Sequence, residues 1–434
     1  MMKDSLKKIS RRQFIETVSV TGAAGFMIMQ PGTVRGSAAN SALRIGQVGC
    51  GGRGGAVATD FLKHTNTRMV ALGDLFPDQL EKARENYGKI AKDKGQPIVD
   101  SKFMFKGPMA YKEIANCKEI DALLITTPDY FHAEHVEAAV AAGKHIYCEK
   151  PAGVDVAGAK RFIEIGKKVE GKLSLDIGFQ VRSAPPIAEM ARRIKAGAIG
   201  KIGSASTYYH ATSINYPPRG NVSALELRLR NWYWDKVLSG DIIVDQNLHV
   251  IDLVTWILGA PPVKAVGTGG RNLRNDPGDC WDHFDVIYTY PGDVHVSLNS
   301  IQYGTDSNMW DVAERFFGSK GAAEAHYSGP VRIYGEQPWQ WTDPAQAAQA
   351  EGAKKFSTTG EFTDNLAQAT PEKVKGFYES VVSGKFHNQA KEGAYSVLAA
   401  VLGREAAYKG REMTWDELLR SNQTYDAGID WSKL

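Results

Sequence analysis

The spacing of apolar residues changes period along the chain, and those changes divide it into elements. Residues 42–48 form a short β-rich run that stops at Gly49. A glycine-rich stretch covers 49–54, and residues 55–62 open a helical pattern. Residues 68–72 read as a second strand ending at Gly73-Asp74. Residues 121–126 centre on an unbroken apolar run, a buried strand that stops at Thr127-Pro128. Residues 131–142 bring Val136, Ala139 and Val140 together at helical spacing, and Gly143 closes that helix. A strand over 145–148, a helix over 155–169 and a strand over 174–179 continue the alternation. Successive βα units predict a doubly wound parallel sheet.

Beyond residue 200 the alternation ends. Residues 202–210, 262–270, 283–290 and 294–302 read as strands without regularly interposed helices, and Pro291-Gly292-Asp293 is a hairpin turn. Residues 336–370 are rich in Ala, Gln, Thr, Gly and Pro and read as a long loop or insertion. Residues 371–419 are mainly helical and are expected to pack back across both domains.

The N-terminus reads as an address. Ser10-Arg11-Arg12-Gln13-Phe14-Ile15 has the form of a twin-arginine export signal. A weakly apolar run over 17–29 follows, then small residues at Gly36-Ser37-Ala38-Ala39. The expected division is 1–39 signal peptide, 40–165 the domain of the doubly wound sheet, and 166–434 a second domain. That address implies a periplasmic destination and the twin-arginine machinery as a partner. The route carries folded proteins, so its passengers load cofactors beforehand. Cys50, Cys117, Cys148 and Cys280 have no CxxC spacing and read as buried thiols.

The chain has 434 residues, 43% hydrophobic and 23% charged, enough for two or three domains. Its 52 Lys+Arg against 49 Asp+Glu give +3. Residues 1–39 hold six bases and two acids, a local +4, so the remainder carries 3 − 4 = −1. A near-neutral body has no field to attract a phosphate backbone, which argues against nucleic-acid binding.

Gly49, Gly51 and Gly54 form GxGxxG directly after the first strand. The first glycine permits a tight turn, the second lets backbone approach a pyrophosphate, and the third lets helix pack on strand. Gly52 and Arg53 lie within the loop, whose helix N-terminus favours phosphate. Asp74 ends the second strand 20 residues after Gly54, where an acid takes a ribose 2′-hydroxyl. An acid there repels a 2′-phosphate and favours NAD. Arg53 is the nearby basic group that leaves NADP as the minor alternative.

With Gly49–Gly54 and Asp74, several further motifs resemble the Gfo/Idh/MocA oxidoreductases, named for glucose–fructose oxidoreductase and inositol dehydrogenase. They are Thr127-Pro128-Asp129-Tyr130-Phe131-His132, Glu149-Lys150-Pro151, Gly178-Phe179-Gln180-Val181-Arg182, Asp245 with His249, and the C-terminal Gly403–Tyr408. The resemblance implies a Rossmann domain followed by an α+β domain with a large, mostly antiparallel open sheet, whose face often packs in a homo-oligomer. It implies NAD contacts from Thr127, Pro128, His132, Glu149, Lys150 and Gln180. It also implies a catalytic group of Lys150, Asp245 and His249.

The residue types suit that chemistry. Oxidising a secondary alcohol needs a base for the hydroxyl proton and a donor that steadies the developing alkoxide. His249 is assigned as acid/base. Asp245, four residues earlier, is its expected partner on one helical face. Lys150 is the donor and pKa tuner. His135 reads as a plain helical residue. Asp245, His249 and His283 lack metal-ligand spacing, so no metal is expected.

Tyr209, Trp232 and Trp234 lie among polar donors and read equally as sugar-stacking faces or as core aromatics. Arg182 reads as a residue of the cofactor–substrate junction or as a structural ion pair. Ser239-Gly240-Asp241 replaces a Gly-rich turn common in the family, and Asn247 stands where a small glycine is usual. Asp241 is then a further candidate ligand to substrate. The expected function is hydride transfer between a sugar, cyclitol or glycoside hydroxyl and a tightly held NAD. The alternatives are a glycosidase or lyase working by transient oxidation, and a non-catalytic sugar-binding protein that retains NAD.

Overall fold

The computed structural model describes residues 42–304, 311–342 and 365–434. The export signal therefore lies outside the described residues, as does the stretch 343–364 of the expected long loop.

The first layer alternates as its pattern predicts. In order it comprises β1 (Leu43–Val48), α1 (Gly52–His64), β2 (Thr67–Asp74), α2 (Pro77–Asp93), β3 (Met104–Lys106), α3 (Ala110–Ala115), β4 (Ala122–Ile125), α4 (His132–Ala141), β5 (His145–Cys148), α5 (Val156–Val169) and β6 (Leu175–Ile177). The six strands are parallel in the order β3-β2-β1-β4-β5-β6, so the sheet extends past residue 165 to Ile177. All four β4 residues are buried, because helices cover both faces and leave no solvent side to alternate with. Asp155 caps α5 by accepting the Gly158 N–H at 2.6 Å.

The second layer begins with α6 (Pro185–Lys195), β7 (Ile202–Thr212) and four helices, α7 (Ala224–Arg230), α8 (Lys236–Ser239), α9 (Ile242–Asp245) and α10 (Leu248–Leu258). Then follow β8 (Lys264–Gly270), β9 (His283–Tyr290), β10 (Val294–Gly304), β11 (Asp311–Gly318), β12 (Gly321–His326), β13 (Val331–Gly335) and β14 (Trp339–Gln340). The chain ends through α11 (Ala369–Ser383), α12 (Ala390–Lys409), β15 (Met413–Thr414) and α13 (Trp415–Ser421). Nine strands form one sheet, β14-β13-β12-β11-β7-β10-β9-β8-β15, antiparallel except where β7 meets β10. The turn between β9 and β10 is the expected hairpin, with Gly292 and Asp293 at positive φ.

Two C-terminal helices join the layers. Phe377 on α11 packs edge-on against Phe61 of α1 and Tyr147 of β5, at ring separations of 5.7 and 5.8 Å. Arg404 on α12 is fully buried and donates to the carbonyls of Val154 and Gly240, both at 2.9 Å. This ties the end of the first sheet to the α8–α9 turn, where Asp245 begins its approach to Lys150. No described helix is long and apolar enough to cross a membrane.

Candidate functional site

The glycine loop divides its work as the spacing predicts. Gly49 sits at φ 87°, and a Cβ there would lie 2.5 Å from the Thr126 backbone. A Cβ on Gly54 would lie 2.3 Å from the Gly49 oxygen, so this glycine sets the strand–helix approach. Gly51 differs: a Cβ there would meet nothing within 4 Å, and its backbone faces a cavity of about 550 Å³. Gly51 caps α1 without a side-chain hydrogen bond, leaving the first-turn amides to an anion. Gly52, Asp74, Thr127 and Pro128 line the same cavity. Asp74 accepts the Cys50 N–H at 2.6 Å and the Phe76 N–H at 2.9 Å. Burial raises its pKa against those two donors, so it stiffens the loop while facing the cavity.

The second layer closes the other side of this cavity with Arg219, Leu229, Arg230, Trp232 and Trp431. Arg230 lies 3.9 Å over the Phe76 ring and pairs with Asp78 and Glu226. Trp232 therefore belongs to the cofactor cavity. His135 belongs there too, although its sequence context made it an ordinary helical residue. It stacks between Tyr111 at 4.2 Å and Phe131 at 5.8 Å, and its Nδ1 lies 3.0 Å from Thr127 Oγ1. Its i,i+4 spacing from Phe131 was the available signal.

From Pro128 the chain passes directly into the reactive end. Lys150, just past β5, donates from Nζ to the Asp245 carbonyl at 2.6 Å and to Asp245 Oδ1 at 3.0 Å. Burial alone would lower the Lys150 pKa. Its acidic neighbours, Asp245 first, outweigh it, and the pKa ends above the ordinary lysine value. His249 is buried. Burial first, then the positive charges of Lys150 and Arg53, push its pKa well below the ordinary imidazole value. It is a neutral ring whose Nδ1 has no hydrogen-bond partner among the described residues.

The expected Asp245–His249 pairing is not formed. α9 ends at Asp245, Gln246 and Asn247 interrupt the helix, and α10 begins at Leu248, so the carboxylate turns to Lys150 instead. Sequence reasoning also missed Asp129. It is buried beside Asp245 and Lys150, and burial followed by the charge of Asp245 raises its pKa well above the carboxylate range.

Arg53 pairs with Glu149 at 3.0 Å and so is engaged at the strand end. The Glu149 carboxyl fills the space where a Gly178 Cβ would stand, 2.6 Å away. His132 does not line the cavity. Its ring sits between the Thr127 and Pro151 carbonyls, each 2.8 Å from one nitrogen, and as a neutral ring it donates to one of them. Gln180 is buried, and among the described residues its Oε1 and both polar atoms of the Asn247 side chain have no partner.

Three proposed substrate contacts turn out to be structural. Arg182 forks onto Asp252 at 2.6 and 2.8 Å and reaches Glu392 at 2.7 Å. Asp241 is fully buried at φ 72° and accepts from the Ile242 and Trp281 amides and the Tyr408 hydroxyl, leaving nothing for a ligand. Trp234 is a buried aromatic packed against Tyr216 and Tyr233. Tyr209 is buried on β7 edge-on to Tyr327, in the fields of Asp245 and Glu314. All four cysteines are free and buried. No group of three His, Cys, Asp or Glu is placed to hold a metal among the described residues.

An open glycine backbone, free helix amides and unpartnered polar atoms at the strand ends fit a dinucleotide, and the comparisons agree. Residues 43–177 match the model of the oxidoreductase family with an NAD-binding Rossmann fold, and residues 187–324 match the GFO/IDH/MocA C-terminal domain. The chain is 27% identical over 296 residues to inositol 2-dehydrogenase of Rhizobium meliloti, covering 67% of this chain and 78% of that one. Scyllo-inositol dehydrogenase from Lactobacillus casei, solved with NAD(H) and scyllo-inositol, shares the fold with TM-score 0.64 at 20% identity, over 86% of this chain and 99% of that one. Aldose-aldose oxidoreductase from Caulobacter crescentus, solved with glycerol, has TM-score 0.65 at 19% identity over the same shares, 86% and 99%. The chain belongs to the GFO/IDH/MocA family of NAD-binding oxidoreductases, of the inositol and sugar dehydrogenase type.

Proposed function

We propose that this protein is an exported NAD-dependent oxidoreductase acting on a secondary hydroxyl of a sugar, cyclitol or glycoside, with the cofactor retained between turnovers. The observation that carries this reading is the buried Lys150 ammonium held on Asp245 while the neutral ring of His249 keeps Nδ1 free. When bound, nicotinamide supplies the two-electron acceptor. His249 takes the hydroxyl proton, because its lowered pKa leaves it neutral at working pH. Lys150 donates a hydrogen bond to the substrate oxygen and steadies its negative charge. Asp245 fixes the ammonium by two contacts.

The Asp74 carboxylate favours NAD, and Arg53, held by Glu149, is not available to a 2′-phosphate. Retention is supported by the C-terminal segment. Gln423 accepts the Ala157 N–H at 3.1 Å, Tyr425 donates its N–H to Asp155 at 2.7 Å, and Trp431 lies over Phe131 at the cavity. Export to the periplasm rests on Ser10–Ile15. A homo-oligomer rests on exposed Val266, Ile287, Phe317 and Tyr334, which share one face of the nine-stranded sheet.

Mass spectrometry of nucleotide released from protein purified without added cofactor tests the reading, followed by a sugar and cyclitol panel scored for keto-product and for cleavage. Released NAD and a keto-product are expected. Absence of nucleotide together with failure to bind NAD removes the proposal.

A further inference from the structure

Asp129 has no part in the chemistry assigned so far, yet it is 3% exposed at the turn between β4 and α4. Its carboxyl lies within hydrogen-bonding reach of the Asp245 carboxyl, and its Oδ2 has no partner among the described residues. The charged groups around it are Asp245 from α9 and Lys150 and Glu149 from the end of β5, with the Cys148 thiol beside them. Glu149 already pairs with Arg53. Lys150 therefore faces two carboxyls with one positive charge.

Two buried carboxylates in contact repel, and one proton between them removes the repulsion. Lys150 pairs with the Asp245 carboxylate at 3.0 Å and with no oxygen of Asp129, which leaves the proton on Asp129. We propose that Asp129 is a neutral hydrogen-bond donor to Asp245 and acts as a positioning residue, holding the Asp245 carboxylate against Lys150. Burial of Asp129 favours the same proton location. If Asp129 loses its proton, the two carboxylates separate and the ammonium loses its aim. The alkaline limit of activity then belongs to Asp129.

The proton's location can be tested without turnover, although the role assigned to it rests on the function proposed above. Infrared difference spectra of the full-length protein against Asp129→Asn at neutral pH should lose one protonated-carboxyl carbonyl band that shifts in D2O. The band of Glu314, a second buried carboxyl whose oxygens have no partner, should stay in place. If no such band is lost, Asp129 is ionised and the inference fails, whatever the substrate proves to be. The rate test compares two variants on the oxidised substrate. Asp129→Asn keeps a donor and should retain about tenfold more activity than Asp129→Leu, with its alkaline limit moved upward. Equal losses in both variants, or an unmoved alkaline limit, overturn the positioning role. If no sugar or cyclitol is oxidised by the wild type, the function is wrong while the infrared result still stands on its own.

Discussion

Two buried aspartates seven positions apart each meet a base from the edge of the first sheet, and they are finished differently. Asp252 accepts twice from Arg182 and once from Ser396, while Arg182 also reaches Glu392 and lies over the rings of Phe179 and Trp256. Both oxygens of the Asp252 carboxylate accept hydrogen bonds. Asp245 holds Lys150, while Gln180 Oε1, both polar atoms of Asn247 and His249 Nδ1 are buried without partners among the described residues. Folded proteins rarely leave buried polar atoms unpaired, so a cluster of them marks where a ligand completes the set. The saturated pair is architecture, and the unsaturated pair is a site.

Removing either cation should separate the two roles. Lys150→Met should lower the rate of substrate oxidation by about 10²–10³ at saturating NAD, the usual worth of a donor to a developing oxyanion. The check is single-turnover absorbance of the reduced cofactor, with NAD affinity measured alongside. An unchanged rate would remove Lys150 from the chemistry. Arg182→Met should instead cost about 3–5 kcal/mol of folding stability by stranding Asp252 in the interior. Denaturant melts measure that loss. If Arg182→Met melts like wild type and loses rate as Lys150→Met does, the distinction between the pairs is gone.

The first sheet was legible almost residue by residue because both of its signals are local. Continuous apolar runs mark doubly covered strands, and a glycine loop with an acid 20 residues later marks the turn. The stretch between β2 and β4 was less legible, since α2 is strongly polar and β3 has only three residues. In the second sheet β7 to β10 were readable, but β11 to β14 were not. β12, Gly-Ala-Ala-Glu-Ala-His, has little strand propensity and becomes a strand because β11 and β13 enclose it. Site residues follow the same division. Lys150 and His249 were visible as motif members. Asp129 also stood in a motif, Thr127–His132, but at a turn position where aspartate is ordinary, so nothing there marked it as a site residue. Asp241 was overread, and Arg182 was left between a junction residue and a structural ion pair, because saturation by amides and carboxylates from distant segments has no sequence signature.

The histidines sharpen the comparison through pH. His249, His132 and His135 all have pKa values lowered chiefly by burial, His135 to about 3. Above pH 6.5 each ring is neutral folded or unfolded, so none makes stability pH-dependent there. Below it, the unfolded chain binds protons that the folded one does not. Stability should therefore fall with falling pH, by up to about 1.4 kcal/mol per unit for each ring. His135→Gln should flatten that slope between pH 6.5 and 4 in denaturant melts. The acid limb of substrate oxidation should lie below pH 6.5, because His249 stays a base to lower pH than a free imidazole. A limb above pH 6.5 would mean that another group accepts the proton.

The smallest effect on the fold is expected at Gly51, and it bears on the same distinction between filled and open positions. Gly54 faces protein at 2.3 Å, so Gly54→Ala must push α1 off its strand and should destabilise the chain. A Cβ on Gly51 meets nothing within 4 Å, so Gly51→Ala should melt within about 0.5 kcal/mol of wild type. That empty space is also where a pyrophosphate would approach the α1 amides. The same methyl should then weaken NADH binding about tenfold, which is about 1.4 kcal/mol, measured by nicotinamide fluorescence titration. A substitution silent in the melt and costly in the titration locates the ligand at Gly51. One silent in both would place the pyrophosphate elsewhere in the cavity and leave the glycine as a requirement of the turn alone.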